Sequence, residues 1–146
     1  SRTDVEAVIE ALSEGLIDII ATDHAPHAAT DKVCTYNEAA HGINVLETAF
    51  ASVFGLVDAG KISVVRLIES LTAGPAAILR KDLGSLKKGF SADVVIIDPG
   101  SEWVVDPTKF ESKSVNSPLG GLELTGRVVQ TIYQGETVFE ISGAKQ

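Results

Sequence analysis

Six residues do most to limit what this chain can fold into: Leu16-Ile17-Asp18-Ile19-Ile20-Ala21, a β-branched run with one polar interruption. A run of that length and character predicts a strand buried on both faces, the kind that parallel sheets use. A helix is expected immediately before it. Thr3-Asp4-Val5-Glu6 has the form of a capping box, which predicts a helix over about Asp4 to Ser13. Val5, Val8, Ile9 and Leu12 fall on one face at three- and four-residue spacing, and Gly15 suits the stop. The apolar run then ends in Thr22-Asp23-His24-Ala25-Pro26-His27, a carboxylate and two imidazoles in quick succession. Open α/β sheets and (β/α)8 barrels put their chemistry at this end of a parallel strand.

Residues 28–42 show no sustained period and predict a loop lying over the strand end. A helix is expected over roughly Ile43 to Ala59, with Val45, Leu46, Ala49, Phe50, Val53, Phe54 and Val57 on one broad face. Shorter helices are predicted over about Ser63 to Leu71 and Gly74 to Leu79. From Gly84 the pattern changes to short strands at Asp93–Asp98, Glu102–Val105, Arg127–Tyr133 and Thr137–Phe139, with Gln134-Gly135 as a hairpin turn. The chain therefore divides near residue 83 into an α/β part (1–83) and a β-rich part (84–146). Trp103, Phe90 and Phe139 are expected to fill the β core.

Composition excludes several functions. With 146 residues, 45% hydrophobic and 22% charged, the chain reads as one soluble globular domain in size, able to bury a core. A net charge of −8 and a pI near 4.8, with no basic cluster longer than Lys87-Lys88, argue against a nucleic-acid surface. No run approaches the roughly 18–20 apolar residues of a membrane span, and Ser1 to Glu6 do not resemble a signal peptide. The single cysteine, Cys34, reads as a neutral thiol and fits a reducing compartment, so a cytoplasmic protein is expected.

Asp23, His24 and His27 are the only clustered metal-competent residues. A strand-end aspartate is placed to bind a divalent metal or to take a proton from metal-bound water. The same residues also suit a plain turn, capped by Asp23, with both histidines bonded to backbone. Residue types alone leave both readings open. Neighbouring strand residues point to opposite faces, so His24 is expected to be structural. Asp18, Glu47 and Asp93 are expected to be strand-edge or helix-cap groups. Zinc takes three or four protein ligands, and no second cluster follows.

The stretch I-A-T-D-H-A-P-H (20–27) resembles the eighth barrel strand of the dihydroorotases, in the metal-dependent amidohydrolase superfamily. Ile43-Asn44-Val45-Leu46-Glu47-Thr48-Ala49 resembles the family's next helix. T-A-G-P-A-A-I-L (72–79), L-G-S-L-K-K-G-F-S-A-D-V-V-I-I-D-P (83–99) and S-K-S-V-N-S-P-L-G-G (112–121) resemble successive later segments, so the likeness runs in order through essentially the whole chain. The stretch G-S-L-K-K-G-F-S-A-D-V-V-I-I-D recurs across the superfamily, hydantoinases, allantoinases and deaminases included. T-D-H-A-P-H is sharper, and His27 favours the dihydroorotases.

The resemblance implies a zinc-dependent, reversible cyclisation of N-carbamoyl-L-aspartate to L-dihydroorotate in pyrimidine biosynthesis. It implies that Asp23 is a metal ligand and general acid/base, with a zinc-bound hydroxide as the attacking group. His27 matches a histidine that helps bind the substrate carboxylate, and Ala40-His41-Gly42 matches a loop whose backbone lies near the bound ring. His41 and Gly42 are therefore candidate substrate-binding residues. The chain departs from the family at Ala40-His41, where Pro-Phe is frequent, at Val45, which replaces a glycine, and at Leu119, where an aromatic is common.

The family's His-x-His pair, its bridging carbamylated lysine or equivalent carboxylate, and its further histidines have no counterpart here. A (β/α)8 barrel takes about 200 residues or more. The expected fold is thus α/β: the last strand and terminal helices of an amidohydrolase barrel (1–83), then part of a small β-sandwich domain (84–146). A C-terminal dihydroorotase fragment, inactive alone, follows. Its unpaired strand would take the N-terminal remainder of the barrel as partner, self-associate, or rearrange into a different compact fold around the helices and the β part. A non-catalytic assembly module and a related hydantoinase or allantoinase are the competing functions.

Overall fold

A computed structural model describes residues 1–141. Helix α1 (Arg2–Glu14) begins earlier than predicted because Ser1, not Thr3, is its N-cap: Ser1 Oγ accepts the Asp4 N–H at 3.3 Å. Gly15, at φ 79, ends the helix and places its N–H on the carbonyls of Ala11 and Leu12. Of the predicted apolar face, Leu12 is buried and Ile9 packs beside it, while Val5 and Val8 stay exposed.

The segment after Gly15 is irregular, with bends at Leu16 and Ile17, and is not the predicted sheet strand. Among the described residues it has no ladder partner, and its backbone groups bond elsewhere. Arg66 donates through Nε to Leu12 O at 2.8 Å and through Nη2 to the carbonyls of Ile17 and Asp18. Ile20 N–H goes to Ser70 O at 3.0 Å. One parallel bridge follows, His24 with Ile43, in which Ala25 N–H reaches Ile43 O at 3.0 Å.

That bridge also explains why the second helix starts late. Ile43 is held to His24, and buried Asn44 donates its N–H to Asn116 O at 2.8 Å, so neither enters a helix. A 3₁₀ turn over Leu46–Thr48 leads instead into α2 (Ala49–Asp58). Ser63 caps α3 (Val64–Leu71), its Oγ accepting the Arg66 N–H at 3.1 Å, and α4 (Ala73–Ile78) follows. Leu12, Phe54, Ile62 and Leu67 form the core, with Ile17 and Ile20 against it. Burial of Leu67 alone stabilises by about 1.5–3 kcal/mol.

Strands β1 (Val94–Val104), β2 (Glu123–Tyr133) and β3 (Glu136–Glu140) form an antiparallel sheet in that order. The first two predicted strands are one irregular strand, its register shifting between Asp98 and Glu102 to pass Pro99-Gly100. The β2–β3 turn is as predicted: Gln134 (φ 52) and Gly135 (φ 86) are both left-handed, the geometry that follows strand twist. Asp93 Oδ1 accepts the Gln134 N–H at 2.8 Å, a strand-edge role. Half-buried Trp103 donates Nε1–H to Gly126 O at 3.2 Å, with the Arg127 guanidinium 5.4 Å from its ring centre. Phe90 is half-buried, but Phe139 is 44% exposed and does not fill the β core, because β3 is an exposed edge strand.

The helices meet the sheet at one close approach. Phe50 and Phe54 stack at 5.3 Å and lie over Gly126, where an added Cβ would stand 2.8 Å from Phe54 Cδ1. No helix among the described residues is long and apolar enough to cross a membrane.

Candidate functional site

Asp23 follows the segment after Gly15 at φ 46, a left-handed conformation that Asp tolerates better than most side chains. Its carboxylate is exposed, with no hydrogen bond or ion pair to another described residue. His24 turns the other way, into the protein. Its Nδ1 accepts the backbone N–H groups of Val45 (3.3 Å) and Leu46 (3.1 Å), so the ring proton sits on Nε2, 3.5 Å from Ser112 Oγ. His24 is structural, pinning two distant segments behind Asp23.

His27 belongs to a second set of contacts. Its Nε2–H donates to His41 O at 2.7 Å, and its Nδ1 lies 3.9 Å from Asp31 Oδ2. The loop over the strand end is folded on itself, with a 3₁₀ turn at Ala29–Asp31 and Ala40 N–H on Asp31 O at 3.0 Å. Gly42 has φ 107, and a Cβ built there would meet His27 Nε2 at 3.6 Å. His27, the His41 backbone and Gly42 are therefore brought together. The His41 imidazole is exposed, and its carbonyl alone takes part in these bonds.

Four participants escaped the sequence reading. Lys32 Nζ donates to the carbonyls of Ala40 and Gly42, the latter at 2.6 Å. Asn116 Nδ2 reaches Gly42 O at 3.3 Å, and buried Asn44 donates Nδ2–H to Ser114 O. Ser112 N–H donates to Glu47 Oε1 at 2.9 Å, so Glu47 ties a remote segment to this end rather than capping its own helix. Asn44 carried a signal, a polar residue inside the apolar run Ile43–Leu46. Lys32 carried none, since its partners lie eight and ten residues on, across a loop without period.

A catalytic metal does not fit these residues on their own. Among the described residues no three His, Cys, Asp or Glu side chains converge, and His24 and His27 are engaged elsewhere. A wide cleft of about 660 Å³ lies between α2 and the sheet, lined by Phe50, Trp103, Phe110 and Arg127 among others. It is lined by Leu46 and Glu47 but by none of Asp23, His27 or His41, and so lies apart from the segment that carries those residues. On the cleft's rim the Thr108 hydroxyl, then its N–H, hold the exposed Asp106 carboxyl below the usual range.

A match to the Amidohydrolase family covers residues 1–138. The chain belongs to the amidohydrolase family. It is 44% identical over 140 residues to a dihydroorotase of Syntrophus aciditrophicus, covering 96% of this chain and 33% of that protein. Identity to a dihydroorotase of Thermoanaerobacter sp. is 48% over 141 residues, 96% of this chain and 32% of that protein. Among solved structures, the L-hydantoinase (dihydropyrimidinase) from Arthrobacter aurescens superposes with a TM-score of 0.86 at 32% identity, covering 91% of this chain and 31% of that one. Dihydropyrimidinase from Brevibacillus agri superposes at 0.88 with 20% identity over 96% of this chain and 32% of that one, which shows the fold alone. The chain spans about a third of the length of the curated relatives it matches. The expected fold class, a portion of an amidohydrolase, is borne out.

Proposed function

We propose that this chain is the C-terminal third of a dihydroorotase, acting in pyrimidine biosynthesis in the cytoplasm. The observation that carries the reading is the seating of His27 on the His41–Gly42 backbone, four residues beyond an exposed, left-handed Asp23. The 44–48% identity to dihydroorotases supports the choice of substrate.

In the ring-opening direction the amide C–N bond of L-dihydroorotate breaks and water is added across it. The hydroxyl joins the carbonyl carbon and a proton joins the departing nitrogen. Asp23 is the group that takes the proton from water and delivers it to nitrogen, a transfer worth about a hundredfold or more in rate. His27 holds the substrate carboxylate through Nδ1, which takes up a proton as substrate binds while Nε2–H stays on the His41 carbonyl, and the His41–Gly42 backbone lines the ring. In the whole enzyme zinc would polarise the ring amide and activate water, and Asp23 is the one residue of this chain that would hold it. The remaining ligands come from the N-terminal part of the barrel, which is also the partner of residues 16–23. Self-association would pair that segment but add no new ligand types. The isolated chain is inactive.

Opening of a hydantoin ring is the second reading, favoured by the likeness to the Arthrobacter L-hydantoinase. Assaying the complete polypeptide that carries residues 1–146 on L-dihydroorotate and on hydantoins decides between them. Preference for dihydroorotate supports the proposal, and preference for a hydantoin overturns it.

A further inference from the structure

Three consecutive carbonyls, those of Ala40, His41 and Gly42, each accept a hydrogen bond from a side chain. Lys32 Nζ takes the first and third, His27 Nε2 takes the second at 2.7 Å, and Asn116 Nδ2 adds a bond to the third. The φ of 107 at Gly42 lets the chain present its carbonyls this way. Lys32 is half-buried, and among the described residues no carboxylate lies within ion-pair distance of its ammonium. The neighbouring Asp31 carboxylate is occupied otherwise, accepting the Ala28 N–H at 3.2 Å and facing His27 Nδ1. A half-buried ammonium is therefore held by backbone dipoles rather than by a counter-ion. Charge-assisted bonds of this kind are the stronger ones.

We infer that Lys32 is a positioning residue: by drawing the Ala40 and Gly42 carbonyls onto one ammonium it fixes the His41 carbonyl between them, and so the ring of His27. The inference rests on the reading of His27 as the residue that holds the substrate carboxylate. Lys32 acts through the turn, and its charge matters because one ammonium has three N–H groups to share between two acceptors. Methionine has similar length but no donor. Arginine keeps charge and donors in a different geometry.

The test compares the complete polypeptide as wild type, Lys32→Met and Lys32→Arg. Ring ¹⁵N shifts of His27 report which nitrogen carries the proton, and steady-state kinetics on L-dihydroorotate separate KM from kcat. In wild type without substrate the His27 proton is on Nε2. In Lys32→Met it redistributes between the two nitrogens, KM rises about tenfold, and kcat changes by less than about threefold. Lys32→Arg restores most of both. Unchanged His27 signals and KM in a folded Lys32→Met protein overturn the inference, as does an Arg variant indistinguishable from Met. If Lys32→Met does not fold, Lys32→Gln takes its place: a partial His27 shift supports the clamp, and a wild-type signal overturns it. A wild-type polypeptide that opens no dihydroorotate overturns the substrate reading instead, and the His27 signals still decide the clamp.

Discussion

Gly42 and Ala25 approach so closely that a Cβ built on Gly42 would stand 2.4 Å from the Cβ of Ala25. The contact locks the turn that carries the His41 carbonyl onto the segment between Asp23 and His27. Gly42→Ala therefore meets both a steric clash and an unfavourable φ. We expect a loss of about 2 kcal/mol or more in stability. Urea unfolding of the variant measures it, and a change below about 0.5 kcal/mol would show that the turn is free to move away.

His24 holds the amides of Val45 and Leu46 on a single nitrogen. Removing the ring leaves two N–H groups without their acceptor, so His24→Ala is expected to cost about 1–3 kcal/mol. Because His24 makes these bonds through Nδ1, His24→Asn, whose carbonyl oxygen occupies a similar position, should recover part of the loss. Equal destabilisation in the two variants would mean that packing, not hydrogen bonding, sets the cost.

His27 is argued to bind substrate rather than to carry out chemistry. In the complete polypeptide His27→Ala should raise KM for L-dihydroorotate by about tenfold or more and change kcat less. A variant with wild-type KM and a strongly reduced kcat would reverse the roles assigned to His27 and Asp23.

Local rules made some elements legible and left others out of reach. Ser63 at the head of α3 and the left-handed pair Gln134-Gly135 were readable because caps and tight turns are decided by neighbouring residues. That Ile17 and Ile20 turn toward the core was readable too, but the strand pairing expected of residues 16–21 did not form. A strand exists through its neighbours, and here Arg66 and Ser70 take the backbone groups that a sheet would have used. The onset of α2 was misplaced for a similar reason, since His24 acts on Val45 and Leu46 across more than twenty residues. In the site, Asp23, His27 and Gly42 stood out by residue type and motif. Lys32, Asn116 and Ser112 entered only with the fold, because each acts on residues to which no local periodicity connects it.

Asp23 is proposed to move the proton in ring opening. The most direct test is L-dihydroorotate hydrolysis by the complete polypeptide, wild type against Asp23→Ala, with folding checked by circular dichroism. We expect turnover in the wild type and a loss of at least about a hundredfold in the folded variant. Hydrolysis that survives Asp23→Ala at the wild-type rate would contradict it.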